Sequence, residues 1–401
     1  MLYLDHAATS PLRPEVLDAM DRARSVAWAN PSARHEPGRR ARGMLEDARE
    51  RVASILGCSP REVYFVRGGT EANNLAIQGL WRHASQPAAA GGGPGRLVIS
   101  ALEHSSVSEP ADALEALGVE VTRLGIHRDG SLSEEALGEA LSPHPFLVSI
   151  QAVNSVTGLR LPLDPVLSAT GARGVPLHID AVQAIGRIPL PSLEDRPDSP
   201  VLMTISGHKL GGPRGSAVLT VPRSLPCRPL LFGGGQERGL RPGTEDVEAA
   251  LGFATALSIA TDARTSEAER LTVLRSGLET RILEAIPTIR VHTSEGPRAP
   301  HILHLGVPGL DSELLLAALD MEGVAGSAGS ACRSGVPGPG PTLEALYGNE
   351  AGGHASLRLS LGWNTTAAEV EEAGERVVSV IRRMLEFEGN ERETSVGNPA
   401  R

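Results

Sequence analysis

Val63-Tyr64-Phe65-Val66-Arg67-Gly68-Gly69-Thr70 is a compact β-type run delivered into a glycine turn, and residues 71–84 then resume helical spacing. This strand, turn and helix order recurs downstream. Residues 97–100 form a short apolar strand before a helical pattern over 105–117. Further apolar runs fall at 119–124, 147–152, 177–180, 201–206 and 216–221. Short apolar strands alternating with helices predict an α/β fold with a mainly parallel sheet covered on both faces. In such sheets ligands sit beyond the carboxyl ends of the strands.

Working outward, residues 1–12 read as a short extended piece, 14–28 as a helix, and 39–56 as a longer helix closed by Gly57. Residues 88–95 are a glycine-rich linker. After Gly243-Thr244 the texture changes to a long helical block over 245–288, the expected join to a second domain. That domain carries strands at 301–305 and 357–361 and a terminal helix over 366–386. A chain of 401 residues exceeds one ordinary core, so two domains are expected.

Composition narrows the class. Hydrophobic residues make up 41% and the net charge is −10, which fits a dispersed globular protein and excludes a surface built to coat nucleic acid. No apolar run approaches the ~20 residues of a membrane span, and the first residues lack the pattern of a signal peptide. Cys58, Cys227 and Cys332 are far apart and odd in number. They suit neither a disulfide framework nor a zinc site, so no metal is expected and the compartment is taken as the reducing cytoplasm.

The chain uses arginine freely but contains a single lysine, Lys209, inside Ser206-Gly207-His208-Lys209. Arginine covers ion pairing and phosphate clamping, but it cannot supply an amine that attacks an aldehyde. A lysine kept here alone points to imine chemistry. Gly69-Thr70 sits where a strand turns into a helix, a place for a phosphate or simply for an N-cap. Ser206 and His208 flank Lys209 as further phosphate donors. Asp180 ends an apolar strand, as a carboxylate that keeps a pyridine nitrogen protonated would, or as a capping residue would. His104 follows a strand and reads either as a proton carrier stacked on a flat cofactor or as a structural histidine. No Gly-x-Gly-x-x-Gly turn joins a strand to a helix, so a dinucleotide is not expected.

Cys332 lies in Gly329-Ser330-Ala331-Cys332-Arg333-Ser334-Gly335, before Pro337-Gly338-Pro339-Gly340-Pro341. Small neighbours leave its thiol uncovered, and the proline–glycine run predicts a mobile surface loop carrying a reactive thiol. In Leu357-Arg358-Leu359-Ser360-Leu361, alternation puts the leucines on one face and Arg358 with Ser360 on the other. Arg358 is then either a bidentate carboxylate ligand or a solvated edge-strand arginine.

Taken together, these motifs resemble the cysteine desulfurases, within the class V aminotransferase group of fold-type I pyridoxal-phosphate enzymes. The likeness runs in order through Tyr3-Leu4-Asp5-His6-Ala7-Ala8-Thr9, Gly69-Thr70-Glu71-Ala72-Asn73-Asn74, Glu103-His104 and Asn154 to Gly158. It continues through His178-Ile179-Asp180-Ala181-Val182-Gln183, Ser206-Gly207-His208-Lys209, Arg241-Pro242-Gly243-Thr244, Gly329-Ser330-Ala331-Cys332 and Arg358-Leu359-Ser360-Leu361-Gly362. The Gly-Ser-Ala-Cys context is similar to the branch of housekeeping iron–sulfur and nitrogenase-associated desulfurases.

The resemblance implies an aspartate-aminotransferase-like architecture: a large pyridoxal-phosphate domain with a mainly parallel seven-stranded sheet between helices, and a smaller α+β domain. Residues 13–255 would form the first. Residues 1–12 and 256–387 would form the second, with the cysteine loop at 326–345, and 388–401 would be a disordered tail. It implies that Lys209 carries pyridoxal 5′-phosphate and that His104 stacks on its ring. Asp180 would meet the ring nitrogen and Gln183 the phenolic oxygen. Gly69, Thr70, Ser206 and His208 would hold the phosphate, with Thr244 reaching that of a second subunit in a homodimer. Asn154 and Arg358 would bind the carboxylate of L-cysteine, and Cys332 would take its sulfur as a persulfide, for a sulfur-acceptor protein in iron–sulfur or thio-compound synthesis. A selenocysteine lyase, another class V aminotransferase or lyase, and an idle scaffold on the same fold are the competing readings.

Overall fold

The computed structural model describes residues 1–85, 95–194, 200–329 and 338–396. Most of the glycine-rich linker and residues 330–337, with Cys332, lie outside the described residues. The chain divides into two compact units: a smaller one, Met1–Ala8, Ser155–Arg160 and Ser266–Arg401, and a larger one, Thr9–Asn154 and Leu161–Thr265. The first strand, β1 (Leu2–Tyr3), belongs to the smaller unit.

The larger unit is built on a seven-stranded sheet of β2 (Val63–Val66), β3 (Arg96–Ser100), β4 (Glu120–Leu124), β5 (Leu147–Gln151), β6 (Leu177–Asp180), β7 (Val201–Ser206) and β8 (Ala217–Thr220). Their order across the sheet is β2-β8-β7-β6-β5-β3-β4, and β8 alone runs against its neighbours. Every residue of β5 and of β7 is buried, as expected of strands covered on both faces. The helices are α1 (Pro14–Val26), α2 (Glu36–Leu56), α3 (Gly69–Ala84), α4 (Ser105–Glu115), α5 (Glu134–Ala140), α6 (Leu163–Gly171) and α7 (Val247–Asp262). On one side, Leu75, Ile77 and Leu80 of α3 and Val107 and Leu114 of α4 pack with Leu97, Ile99, Leu147, Leu202 and Leu219 of the sheet. Gly57 ends α2 in the left-handed conformation at φ 66°, the helix stop read from the sequence.

Because β2, β3, β5, β6 and β7 run in one direction, their carboxyl ends lie along one edge of the sheet. That edge carries Arg67 to Thr70, Leu102 to His104, Ala152 to Asn154, Ala181 to Gln183 and Gly207 to Lys209.

The smaller unit holds a three-stranded antiparallel sheet in which β10 (Ile302–Pro308) lies between β9 (Arg290–Val291) and β12 (His354–Ser360). A parallel pair joins β1 to β11 (Val324–Ala325). Its helices are α8 (Arg264–Ala285), α9 (Ser312–Met321), α10 (Pro341–Tyr347) and α11 (Ala367–Val396). Leu357 and Leu359 of β12 and Leu303, Leu305 and Val307 of β10 pack with Leu278 and Ile282, Leu315 and Leu319, and Val377 and Ile381 of α8, α9 and α11.

Three expectations change. The block over 245–288 is two helices, α7 and α8, broken at Ala263, and the unit boundary falls at Thr265 rather than 255. A short segment, 155–160, also joins the smaller unit. Finally α11 continues to Val396, so 388–396 is helix and not the expected tail; its run Glu386 to Thr394 contains only one glycine and no proline to stop it.

Candidate active site

The larger unit gathers most of the sequence-predicted residues at its strand-end edge. Gly69 and Thr70 open α3, in its first turn rather than in the turn before it. The N-cap Gly68 offers no side-chain cap, so the first amides of the helix keep their donors for an anion. A Cβ on Gly69 would stand 3.2 Å from Val182 Cγ2 and 3.7 Å from Ser206 Cβ, which places the start of α3 against the ends of β6 and β7. Ser206 is buried, and its Oγ has no hydrogen-bond partner among the described residues. A buried hydroxyl costs free energy unless something bonds it. Beside the open helix terminus, it fits a phosphate oxygen.

Asp180 is buried at the end of β6. Its Oδ1 accepts from the Val182 amide at 2.9 Å and its Oδ2 from Asn73 Nδ2 at 2.8 Å. Asn73 Nδ2 also donates to Ser106 Oγ at 2.8 Å, and Ser106 Oγ lies 2.8 Å from His104 Nδ1. His104 caps α4, its Nδ1 accepting from the Ser106 amide at 3.1 Å. With Nδ1 an acceptor, the proton of the neutral ring sits on Nε2. The protein packed about this solvent-facing ring pushes its pKa below 6.5; Asp180 opposes that shift and Lys209 adds to it. His104 is therefore a neutral base near pH 7.

Lys209 closes a single 3₁₀ turn, Gly207–Lys209, directly after β7. Its backbone carbonyl accepts from Arg187 Nη2 at 2.8 Å, while Arg187 Nη1 donates to Gln183 Oε1 at 2.8 Å. One buried guanidinium thus ties Gln183 to the lysine turn. His208 Nδ1 lies 3.1 Å from Thr9 Oγ1, and burial first, then Lys209, Arg214 and Arg187, push its pKa down to about 4. A neutral His208 offers a hydrogen bond rather than a full charge. Asn154 is buried, with Nδ2 donating to the Leu102 carbonyl at 3.1 Å.

Glu103 stands in the Glu103-His104 motif, but sequence reasoning gave it no role. Its Oε1 accepts from Ser100 Oγ and, at 2.9 Å, from the Gln151 amide, while Oε2 has no partner among the described residues. Burial, with Asp180 adding to it, pushes its pKa up to about 8, so the carboxyl is largely protonated near pH 7. Asn73, Ser106 and Arg187 were passed over as well. Only Asn73 carried a signal, as a polar residue on the inward side of an apolar helix pattern.

Thr244 is exposed on the loop after the 3₁₀ turn Gln236–Gly239. That loop is tied to the start of α3 by Arg241 Nε donating to Glu71 Oε1 at 2.9 Å. In the smaller unit Arg358 lies on an edge strand yet is buried, not solvated. Nη2 donates to Asp5 Oδ1 at 2.7 Å and Nη1 to the Ser155 carbonyl at 2.8 Å; Nε has no partner among the described residues. Burial pushes the thiols of Cys58 and Cys227 up to about 12, so neither is a thiolate at neutral pH. Cys332 lies outside the described residues.

A lysine after a strand, a carboxylate fixed at the neighbouring strand end and an open helix terminus define a pyridoxal-phosphate scaffold, and the comparisons agree. Residues 2–372 match the aminotransferase class-V family, and the chain belongs to it. The family uses pyridoxal 5′-phosphate. The chain is 39% identical over 389 residues to the IscS-like cysteine desulfurase of Mycobacterium tuberculosis, covering 96% of this chain and 97% of that protein. Among solved structures it is similar to a NifS-like protein, with TM-score 0.85 and 28% identity over 95% of this chain and 99% of that one. It is also similar to SspA in complex with cysteine, with TM-score 0.74 and 29% identity over 90% of this chain and 99% of that one.

Proposed function

We propose that this protein is a cysteine desulfurase: it takes sulfur from L-cysteine, releases L-alanine, and holds the sulfur as a persulfide on Cys332 for an acceptor. The observation that carries the reading is the chain's only lysine, set at a strand end on the same sheet edge as an Asp180 locked by two hydrogen bonds. The names of its relatives supply the substrate.

When bound, pyridoxal phosphate supplies the electron sink that stabilises negative charge at the substrate's α-carbon. The residues divide the remaining work. The amides of Gly69 and Thr70, with Ser206 and His208, hold the phosphate. Asp180 keeps a proton at the ring nitrogen, and Gln183, fixed by Arg187, meets the phenolic oxygen. Lys209 Nζ would hold the cofactor at its aldehyde carbon and would carry the substrate's α-proton. Neutral His104 would lie against the ring and take the thiol proton. Arg358 binds the substrate carboxylate through its unpartnered Nε–H, and Asn154 is the second residue assigned to that carboxylate. The Cys332 thiolate attacks the substrate sulfur; an S–S bond forms, the carbon–sulfur bond breaks, and the carbon fragment takes a proton to become alanine.

In a homodimer, Thr244 would reach the phosphate of the second subunit. The sulfur's proposed destination is iron–sulfur cluster assembly, through an acceptor protein in the cytoplasm. No helix among the described residues is long and apolar enough to cross a membrane.

The test is spectroscopic and chemical together. The purified protein with pyridoxal phosphate should show a visible imine band that borohydride fixes on the Lys209 peptide, and the band should be missing in Lys209→Ala. L-cysteine with a thiol reductant should then give alanine and sulfide in equal amounts. An imine band with no alanine from L-cysteine would overturn the proposal.

A further inference from the structure

We infer that His304, backed by His292, is a positioning residue for Arg358. A hydrogen-bond chain of fixed polarity runs from His292 through His304 and Ser356 to the Ala328 carbonyl and holds the peptide next to the guanidinium. The inference deepens the proposed function, in which Arg358 takes the substrate carboxylate.

All of its parts lie in the smaller unit. His304 stands opposite Arg358 in the β10–β12 register. His292 and His304 are both buried, and their Nδ1 atoms face each other at 2.8 Å. Two such nitrogens bond only if one carries a proton and the other does not. His304 Nε2 lies 2.9 Å from Ser356 Oγ, which donates to the Ala328 carbonyl at 2.9 Å. A serine hydroxyl has one proton. Since it goes to Ala328, Ser356 must accept from His304, so His304 carries its proton on Nε2 and accepts at Nδ1 from His292. Reversing the polarity would turn the Ser356 proton to His304 and leave the Ala328 carbonyl without it.

The far end reaches the guanidinium. The next carbonyl, of Gly329, lies 3.4 Å from Arg358 Nη1. Gly329 has φ +88°, and a Cβ there would come within 2.7 Å of Val156 Cγ1. At Gly306 a Cβ would meet His292 Cε1 at 2.8 Å, so the strand makes room for that ring.

The pair stays neutral, which keeps one polarity defined. The charged and titratable groups around it are Arg290 on β9, His354 and Arg358 on β12, and the Tyr347 phenol on α10. None is an acid, and only the Ala328 carbonyl, by accepting from His304, favours a proton there, against the stronger effect of burial. Burial and these cations push His292 down to about 4 and His304 well below 6.5.

Two measurements on the holoenzyme decide it. Nitrogen NMR of the ¹⁵N-histidine-labelled protein should find His292 protonated at Nδ1 and His304 protonated at Nε2; the opposite pair of tautomers overturns the inference. In Ser356→Ala, KM for L-cysteine should rise about tenfold, and L-alanine, which carries the same carboxylate, should bind about tenfold more weakly by the cofactor's absorbance, as for one lost hydrogen bond, while kcat changes less than about threefold. Ser356→Thr, which keeps the hydroxyl, should restore both affinities. Unchanged affinities in a folded Ser356→Ala overturn the inference, and if that variant does not fold, the tautomers of the unaltered protein decide. A holoenzyme that makes no alanine from L-cysteine would instead sink the proposed function, while the tautomers still report on the chain.

Discussion

Asp180 has one carboxylate oxygen fixed by the chain two residues on and the other by Asn73, 107 residues away in sequence. That second bond matters because the proposed function needs Asp180 to face the ring nitrogen, and a carboxylate free to rotate would lose that aim. Asn73→Ala should keep the cofactor but lower kcat by about ten- to a hundredfold, the usual cost of a misplaced catalytic group. Steady-state kinetics with a visible spectrum checks it; unchanged kcat would contradict the network. At this scale Lys209, Asp180 and His104 stand out in the sequence because each ends or closely follows an apolar strand, and strand ends are where such sheets bind ligands. Asn73, Ser106, Arg187 and Glu103 do not. Their roles depend on partners that only the tertiary fold supplies, and a polar residue on a helix carries no sign of what lies opposite. Arg358 was left open between two readings, and burial beside Asp5 settles its surroundings.

Among the elements, the turn Gln236–Gly239 shows how a loop is held. Glu237 and Arg238 adopt left-handed backbone at φ 45° and 55°, a costly conformation for non-glycine residues. A buried ion pair fixes it: Arg49 Nη2 and Nη1 contact the two Glu237 oxygens at 2.7 and 2.8 Å. Glu237 also accepts from the Phe65 amide at 3.0 Å. Removing the Glu237 charge leaves the buried Arg49 only the partly exposed Glu46, at 3.0 Å, as a counter-ion, so Glu237→Gln should lower the unfolding free energy by roughly 3 kcal/mol. Urea denaturation measures it, and a loss below about 1 kcal/mol would contradict the clamp's role. None of this was legible, since nothing local marks Glu237 for positive φ. The long helices α2 and α3 were legible from their period, α2 also from its glycine stop, whereas α5 and α10, at seven residues each, carry too few repeats to declare themselves. The parallel sheet was readable because its strands, covered on both faces, are continuous apolar runs.

For the whole molecule, the buried titratable groups set a pH optimum of stability. Unfolded imidazoles take up protons near 6.5, but His178, His208 and His292 are held down to about 4 by burial, so stability should fall as pH drops from about 6.5 toward 4. Glu103 acts the other way: its carboxyl ionises near 4.5 when unfolded but only at about 8 when folded, so stability should also decline as pH rises toward 8. Below 6.5 the three histidines outweigh the one carboxyl; above it Glu103 acts alone among these groups. Thermal unfolding should therefore peak near pH 6.5, and Glu103→Gln should flatten the alkaline limb and steepen the acid one. A midpoint flat between pH 5 and 6.5 would contradict the account. The central claim concerns sulfur. Holoenzyme incubated with L-cysteine, quenched with an alkylating agent and mapped by peptide mass spectrometry should carry one added sulfur on the Cys332 peptide and none on Cys58 or Cys227, with alanine formed in proportion. Alanine accumulating while Cys332 stays unmodified, or at an undiminished rate in Cys332→Ser, would contradict it.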